Sequence, residues 1–171
     1  MYSVDERDKV IALEQVPQSS VGSPSPVVLS DEFKLLLLYI VEEPPIDWGS
    51  IQITDSPTAH ESVALVEFTR YSTYMFGAPN DEVFHTHPLA ARGLHPYGAF
   101  QIENSSWIRQ LEKMNSVHDR HNPERFKRLR HYVFSFHDST FECVANDFTV
   151  STREDSWESM LSMMQSCLRI S

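Results

Sequence analysis

Residues 131–145 read HYVFSFHDSTFECVA, and this segment decides the fold more than any other stretch of the chain. Two runs that alternate between aromatic and smaller or polar residues flank Asp138 and Ser139. The pattern predicts a β-hairpin with its turn at these two residues. The resulting register pairs three sets of residues on one face: Phe136 with Phe141, Phe134 with Cys143, and Tyr132 with Ala145. This aromatic face is predicted to be core, and Cys143 with it.

The opposite face of the predicted hairpin carries the polar residues. In the same register Ser135 lies opposite Glu142, and His137 lies diagonal to Glu142. A carboxylate beside an imidazole orients the ring and raises its basicity, so His137 and Glu142 are the candidate catalytic pair. The alternative interpretation is that this face is polar because it is half-exposed to water.

Further strands are predicted on both sides of this hairpin. Residues 34–41, KLLLLYIV, form a continuous apolar run that favours a buried strand, although a helix capped by Ser30 is an alternative. Alternation over 62–70 predicts another strand, and shorter ones are expected over 51–54 and 97–103.

Two amphipathic helices are also predicted. Residues 104–106, Asn-Ser-Ser, can cap a helix whose core-facing residues would be Trp107, Ile108, Leu111 and Met114. The sequence from Ser151 to Glu154 has the spacing of a capping box, which predicts that a second helix begins there. Its apolar stripe would be Trp157, Met160, Leu161, Met164 and Leu168.

These elements predict an α+β fold, with an antiparallel sheet containing the hairpin of the C-terminal half, packed against two amphipathic helices. Strands do not alternate regularly with helices, and a hairpin requires antiparallel pairing. Residues 31–171 are expected to form one domain. Residues 1–30 are expected to be a peripheral, partly flexible lead-in, because 15–26 is dense in Ser, Pro and Gly, although 10–13 could form a short element.

The charge and the cysteines restrict the function. Twenty-four acidic against fourteen basic residues give a net charge of −10, which disfavours nucleic acid and anionic membranes as partners. A protein partner, above all a basic one, or a small ligand is expected instead. The basic residues within 125–130 are interpreted as a solvated connection. Two cysteines without a CxxC spacing, and no secretory signal, predict a reducing, cytoplasmic location.

A divalent metal site is a weaker candidate in the irregular loop 81–98. His85 and His87 are two residues apart, which would place both imidazoles on one side of an extended backbone. Glu103, at the end of the next strand, could supply a carboxylate ligand. The alternative is that these are loop histidines without a ligand role.

Four short blocks resemble a group of small proteins to which no activity is assigned. They are FGAPNDE at 76–82, HPL at 87–89, NSSWI at 104–108 and FHDSTFEC at 136–143. The resemblance implies no substrate, cofactor or mechanism. It implies only that the loop, the first helix and the hairpin belong to one structural unit.

Two functions are consistent with these patterns. The favoured hypothesis is a non-catalytic binding or partner-interaction module, because the chain has no P-loop, GxSxG or GxGxxG motif. The alternative is a small enzyme or ligand-binding domain. Its His/Glu site, with or without a metal, would lie between the 81–98 loop and the polar face of the hairpin.

Overall fold

A computed structural model describes residues 2–42 and 60–168 of the chain. Within these ranges the chain forms nine strands, three α-helices and two 3-10 turns. The strands are β1 (Lys9–Ala12), β2 (Val27–Ser30), β3 (Leu35–Ile40), β4 (His60–Thr69), β5 (Thr73–Gly77), β6 (Ala99–Glu103), β7 (Arg130–Ser135), β8 (Thr140–Ala145) and β9 (Asp147–Ser156). The helices are α1 (Ser106–Asn115), α2 (Pro123–Lys127) and α3 (Trp157–Leu168), and the 3-10 turns are Phe84–Thr86 and Ala90–Arg92.

The strands form two antiparallel sheets. The order is β1-β6-β7-β8-β5 in the five-stranded sheet and β2-β3-β4-β9 in the four-stranded sheet. All strand pairs in both sheets are antiparallel. The predicted α+β class with antiparallel pairing is therefore confirmed, but the strands are divided between two sheets where one was expected.

The main core lies between the two sheets. The aromatic face of the β7–β8 hairpin packs there against Leu35, Leu37 and Tyr39 of β3 and against side chains of β4. Phe68 of β4 is at the centre, because its ring contacts the rings of Tyr132, Phe134, Phe141 and Phe148. Cys143 is fully buried in the same cluster, as predicted.

The run of four leucines is a strand with both faces buried. Leu35 and Leu37 face the inter-sheet core, whereas Leu36 and Leu38 pack with Met160 and Met164 of α3 on the other side. A strand between two apolar layers needs apolar residues at every position, which explains the continuous run. The prediction of a strand at 34–41 is confirmed, and the helical alternative is wrong.

The hairpin register differs from the predicted one by two residues. Phe134 pairs with Phe141, Tyr132 with Cys143 and Ser135 with Thr140. The loop is wider, and the Phe136 amide donates to the Ser139 carbonyl at 2.8 Å. Because side chains alternate with a period of two, a slip of two keeps every side chain on its predicted face. The face containing Ser135 and Glu142 is nevertheless buried, not half-exposed.

The predicted capping box over 151–154 is wrong. These residues belong to β9, which pairs with β4 over ten positions. The ladder satisfies the backbone along its whole length, and Phe148 and Val150 add to the inter-sheet core. The helix begins at Trp157, and the Ser156 hydroxyl accepts a hydrogen bond from the Ser159 amide at 3.3 Å.

The N-terminal residues are part of the fold. β1 pairs with β6, and β2 pairs with β3, so residues 9–12 and 27–30 belong to the two sheets. Met114 of α1 is 65% exposed and does not extend the buried face of its helix as expected. The strand predicted over 51–54 lies outside the described residues. In the ranges 2–42 and 60–168, no helix is long and apolar enough to cross a membrane.

Candidate functional site

Glu142 is the centre of a buried polar cluster on the side of the five-stranded sheet that faces away from the inter-sheet core. Its Oε2 accepts hydrogen bonds from the Tyr2 hydroxyl at 2.6 Å and from His131 Nε2 at 2.9 Å. Its Oε1 lies 3.2 Å from His87 Nε2. Strand β8 positions the carboxylate, β7 positions His131, and the 81–98 loop brings in His87. We call these four residues the Glu142 cluster.

The neighbouring hydrogen bonds indicate which ring nitrogens of His87 and His131 donate to Glu142. The Leu89 amide donates to His87 Nδ1 at 3.1 Å, so the hydrogen of the neutral His87 ring is on Nε2, facing Glu142. Ser105 caps α1 by accepting from the Ile108 amide, and its Oγ lies 2.9 Å from His131 Nδ1. The Ser105 hydroxyl can therefore donate to His131, which in turn donates to Glu142.

This arrangement keeps Glu142 ionised. Burial alone would raise the pKa of its carboxyl, but the hydrogen bonds from His131 and His87 lower it to about 2. Burial and the Glu142 carboxylate raise the pKa of Tyr2 well above its ordinary value, so the phenol remains a donor. Both carboxylate oxygens are engaged, and the cluster holds three separate segments of the chain together.

The predicted pair of His137 and Glu142 is not formed. His137 follows the end of β7, in the hairpin loop, whereas Glu142 pairs with Val133 in the middle of the sheet. Glu142 has His131 as its partner instead. The observed register makes His131 diagonal to Glu142, and the alternation of β7 already places residues 131, 133 and 135 on one face. His87, named as a site residue for its spacing, does contact Glu142.

His137 forms a second cluster with the 81–98 loop. Its Nδ1 lies 2.9 Å from Asp81 Oδ2 and 2.9 Å from the Tyr97 hydroxyl, which itself donates to Asp81. The Asp81 amide also donates to the His137 carbonyl at 2.9 Å. The imidazole is 43% exposed. These contacts fasten the 81–98 loop to the turn of the hairpin.

The stability of this second contact is expected to depend on pH. The hydrogen bond from His137 to Asp81 raises the pKa of His137 above its ordinary value of 6.5, and hydrogen bonds from Tyr97 and His137 lower the pKa of Asp81. A raised histidine pKa stabilises the folded chain below the unfolded pKa, and the effect is lost as pH rises through the folded pKa. His137→Gln should therefore destabilise the chain more at about pH 5 than at about pH 9.

Urea unfolding of both chains at the two pH values measures this difference. His118→Gln removes an exposed imidazole outside this cluster and is the matched control, with no pH-dependent difference expected beyond that of the wild type. An equal destabilisation by His137→Gln at both pH values would contradict the role of the charged imidazole.

The structure does not bring His85, His87 and Glu103 together as metal ligands. His85 lies in the 3-10 turn Phe84–Thr86, so the extended backbone assumed for the His85–His87 spacing is absent. His85 and Glu103 are exposed, whereas His87 is buried with both ring nitrogens engaged. Over the two described ranges, no group of three or more His, Cys, Asp or Glu side chains is placed to hold a metal ion.

A cleft of about 440 Å³ lies beside α2, and we call it the arginine cleft. It is lined by Glu32, Phe33, Arg70, Tyr71, Ser72, Asn122, Glu124, Arg125, Arg128, Leu129 and Asn146. Four segments build it: the β2–β3 turn, the β4–β5 turn, α2 with its flanks, and the β8–β9 turn. The basic residues within 125–130 are the one indication of this cleft in the sequence, and their pattern alone favours the interpretation as a solvated connection.

Three guanidinium groups in this cleft have no carboxylate partner within the described residues, namely those of Arg70, Arg125 and Arg128. Arg70 has a φ of +50°, a left-handed conformation that non-glycine residues rarely adopt and that often accompanies functional sites. Phe33, at the same cleft, is 71% exposed. The cleft therefore presents three guanidinium groups without a carboxylate partner among the described residues, beside an aromatic ring and two glutamates.

Comparison of the chain with protein-family models, with curated proteins and with solved structures finds no match.

Proposed function

We propose that this chain is a non-catalytic binding module that holds an anionic ligand in the arginine cleft. The observation that carries the proposal is the set of three arginines around one cleft that have no carboxylate partner among the described residues, in a chain whose net charge is −10. Guanidinium groups of this kind in a concave site favour an external anion.

The size and the lining favour a single anionic group on a small ligand or on an exposed side chain of a partner. A volume of about 440 Å³ is within the ordinary range of ligand pockets, roughly 300 to 1,000 Å³. Glu124 pairs with Lys127 at 2.5 Å, but Glu32, on the same cleft, has no ion pair with any residue that the structure describes. A carboxylate at this position would repel a continuous phosphate backbone, which supports a discrete anion over nucleic acid.

The composition of the cleft supports binding without catalysis. Of the described residues that line it, none is His, the type that most often acts as a general acid or base. Guanidinium groups stay protonated at any ordinary pH and recognise carboxylates or phosphates with two parallel hydrogen bonds. Phe33 adds an apolar surface for a ring or chain attached to the anion.

Isothermal titration with phenyl phosphate, which combines a dianion and a ring, tests this proposal. We expect saturable binding that weakens as salt rises. Arg128→Gln should raise Kd about ten- to a hundredfold, because a charge-assisted hydrogen bond contributes about 1.5 to 3 kcal/mol. Arg70→Gln and Arg125→Gln should act in the same direction.

Arg153→Gln is the matched control, because Arg153 is an exposed arginine of β9 that does not line the cleft. It removes the same charge and should leave Kd within about twofold, since the charge is screened over such distances. Equal losses in Arg128→Gln and Arg153→Gln would mean that only the overall charge matters. Absence of saturable binding by the wild type, with phenyl phosphate and with inorganic phosphate, would contradict the proposal.

A further inference from the structure

The side chain of Tyr2 lies in a slot that has the chemistry of a ligand site. Its ring stacks on Trp107, with centroids 5.2 Å apart and planes at 7°, and it meets the edge of His131 at 5.3 Å. Its hydroxyl donates to Glu142 at the inner end of the slot. Only 6% of Tyr2 is exposed. This slot has the two groups that recognise a phenol, an aromatic surface on which the ring stacks and a carboxylate that accepts a hydrogen bond from the hydroxyl.

The segment that carries Tyr2 is attached to the rest of the described residues through side chains, and Val4 packs, partly buried, against two core clusters. Residues 2–4 make no backbone hydrogen bonds to the described residues, and β1 begins only at Lys9. The attachment resumes at Asp5, which pairs with Arg109 at 2.6 Å, and at Asp8, whose carboxylate accepts from the Ser106 amide at 2.5 Å. Residues 2–4, which we call the strap, are therefore held by the side chains of Tyr2 and Val4.

A groove of about 210 Å³ reaches the slot from outside. It is lined by Tyr2 itself, Met75, Trp107, Gln110, Leu111 and Met114. Met114 at its edge is largely exposed. If Tyr2 leaves, the groove and the slot become continuous, which gives a small ligand a path to Glu142.

Packing alone could hold Tyr2 without a carboxylate, and burying the charge of Glu142 beside two imidazoles costs desolvation free energy. Apolar side chains of similar volume often stabilise a core as well as a buried charge does, so the charge needs another reason. Recognition of a hydroxyl supplies that reason, because a buried acceptor left without a donor strongly rejects ligands that lack the hydroxyl.

We propose that the Glu142 cluster and Trp107 form a binding site for a small phenolic ligand, and that Tyr2 occupies this site as a tethered competitor. An external phenol stacks on Trp107 and donates its hydroxyl to Glu142, in the position that Tyr2 holds in the structure. The site lies between the 81–98 loop and the hairpin and is separate from the arginine cleft, so each proposal can fail without the other.

The first experiment opens the slot in the full-length chain with Tyr2→Ala and titrates p-cresol, with toluene as the probe without a hydroxyl. We expect p-cresol to bind at least tenfold more tightly than toluene and to raise the melting temperature. Tyr2→Ala combined with Glu142→Gln should lose this preference. If Tyr2→Ala binds both probes equally, or neither, the site does not recognise a phenol and the proposal is overturned.

Tyr2→Ala could also fail to fold without a ligand, and the same probes then decide the matter. A ligand that binds only the folded state shifts the equilibrium toward it. Recovery of the folded signal by p-cresol and not by toluene supports the proposal. Recovery by neither probe counts against it.

The second experiment uses the wild-type chain and asks whether a phenol displaces the strap. Binding to the wild type should be at least tenfold weaker than to Tyr2→Ala, because the tethered Tyr2 competes at an effective concentration of about 1 mM or more. Displacement ends the stack of Tyr2 on Trp107, so it should move the ring resonances of Tyr2 toward their values in an unfolded chain, and NMR of the chain with 13C-labelled tyrosine measures this shift. Tyr2 resonances that do not respond to p-cresol, at concentrations a hundredfold above those that saturate Tyr2→Ala, would show that the phenol does not compete with Tyr2 and would overturn the proposal.

Discussion

Replacing Glu142 with alanine is expected to lower the free energy of unfolding by about 3 to 5 kcal/mol, because one carboxylate holds three buried donors. The substitution leaves the Tyr2 hydroxyl and the Nε2 atoms of His87 and His131 without an acceptor. Urea unfolding measures the loss. Glu103→Ala removes an exposed carboxylate from the same sheet and is the matched control, with an expected change within about 0.5 kcal/mol.

Two further measurements distinguish the charge of Glu142 from its shape. Glu142→Gln keeps the shape but replaces one acceptor oxygen with a donor group, so we expect it to destabilise the chain by at least about 1 kcal/mol. The depressed pKa of Glu142 stabilises the folded chain above the ordinary carboxyl pKa of 4.5, and this stabilisation is lost as pH falls toward about 2. If Glu142→Gln is as stable as the wild type at neutral pH, the carboxylate is not ionised in the folded chain.

The second large effect is expected at the inter-sheet core. Phe68→Ala should lower the free energy of unfolding by about 3 to 5 kcal/mol, because it leaves a cavity where four aromatic rings of both sheets meet. In a chain of this length, a loss of that size lowers the melting temperature by about 10 °C. Differential scanning calorimetry measures both quantities.

Phe33→Ala is the control for this prediction, because it removes the same side chain from a position that is 71% exposed. Its expected effect on stability is within about 0.5 kcal/mol. A loss of less than 1 kcal/mol in Phe68→Ala would mean that the two sheets can close over the missing ring, and that Phe68 does not hold them together.

The sequence predicted those features that depend on a short repeating pattern. Alternation in 131–145 gave the correct face for Phe134, Phe141 and Cys143, because a strand places every second side chain on the same side. The four leucines predicted a buried strand, and the spacing of Met160 and Met164 predicted a helix. Each of these patterns reports a local burial environment, and burial dominates the free energy of folding.

The same local reasoning failed where two interpretations compete within one segment. The capping-box spacing over 151–154 is a valid helix signal, but these residues continue β9, whose pairing with β4 over ten positions, together with the core contacts of Phe148 and Val150, favours the strand. The hairpin register was also wrong by two residues. A slip of two leaves both faces unchanged, so the alternation alone cannot distinguish the two registers.

Among the polar residues, too, the sequence identified some members of the candidate sites and missed others. The sequence identified His87 by its two-residue spacing from His85, and Glu142 by its predicted position beside His137. Tyr2 was missed, since its partner lies 140 positions away along the chain. The arginine cleft was missed for the same reason, because Arg70 and Arg128 come from turns that only the packing of the two sheets brings together.

The hairpin of residues 131–145 shows both what the sequence determined and what only the tertiary structure decided. The sequence by itself determined that the hairpin exists, which of its faces is aromatic, and that Cys143 is core, because these follow from the two-residue period of a strand. Only the tertiary structure decided the partners of its polar residues: His131, His87 and Tyr2 for Glu142, and Asp81 and Tyr97 for His137. Such contacts join segments distant in the chain, and no local pattern encodes which of them the folded backbone brings within hydrogen-bonding distance.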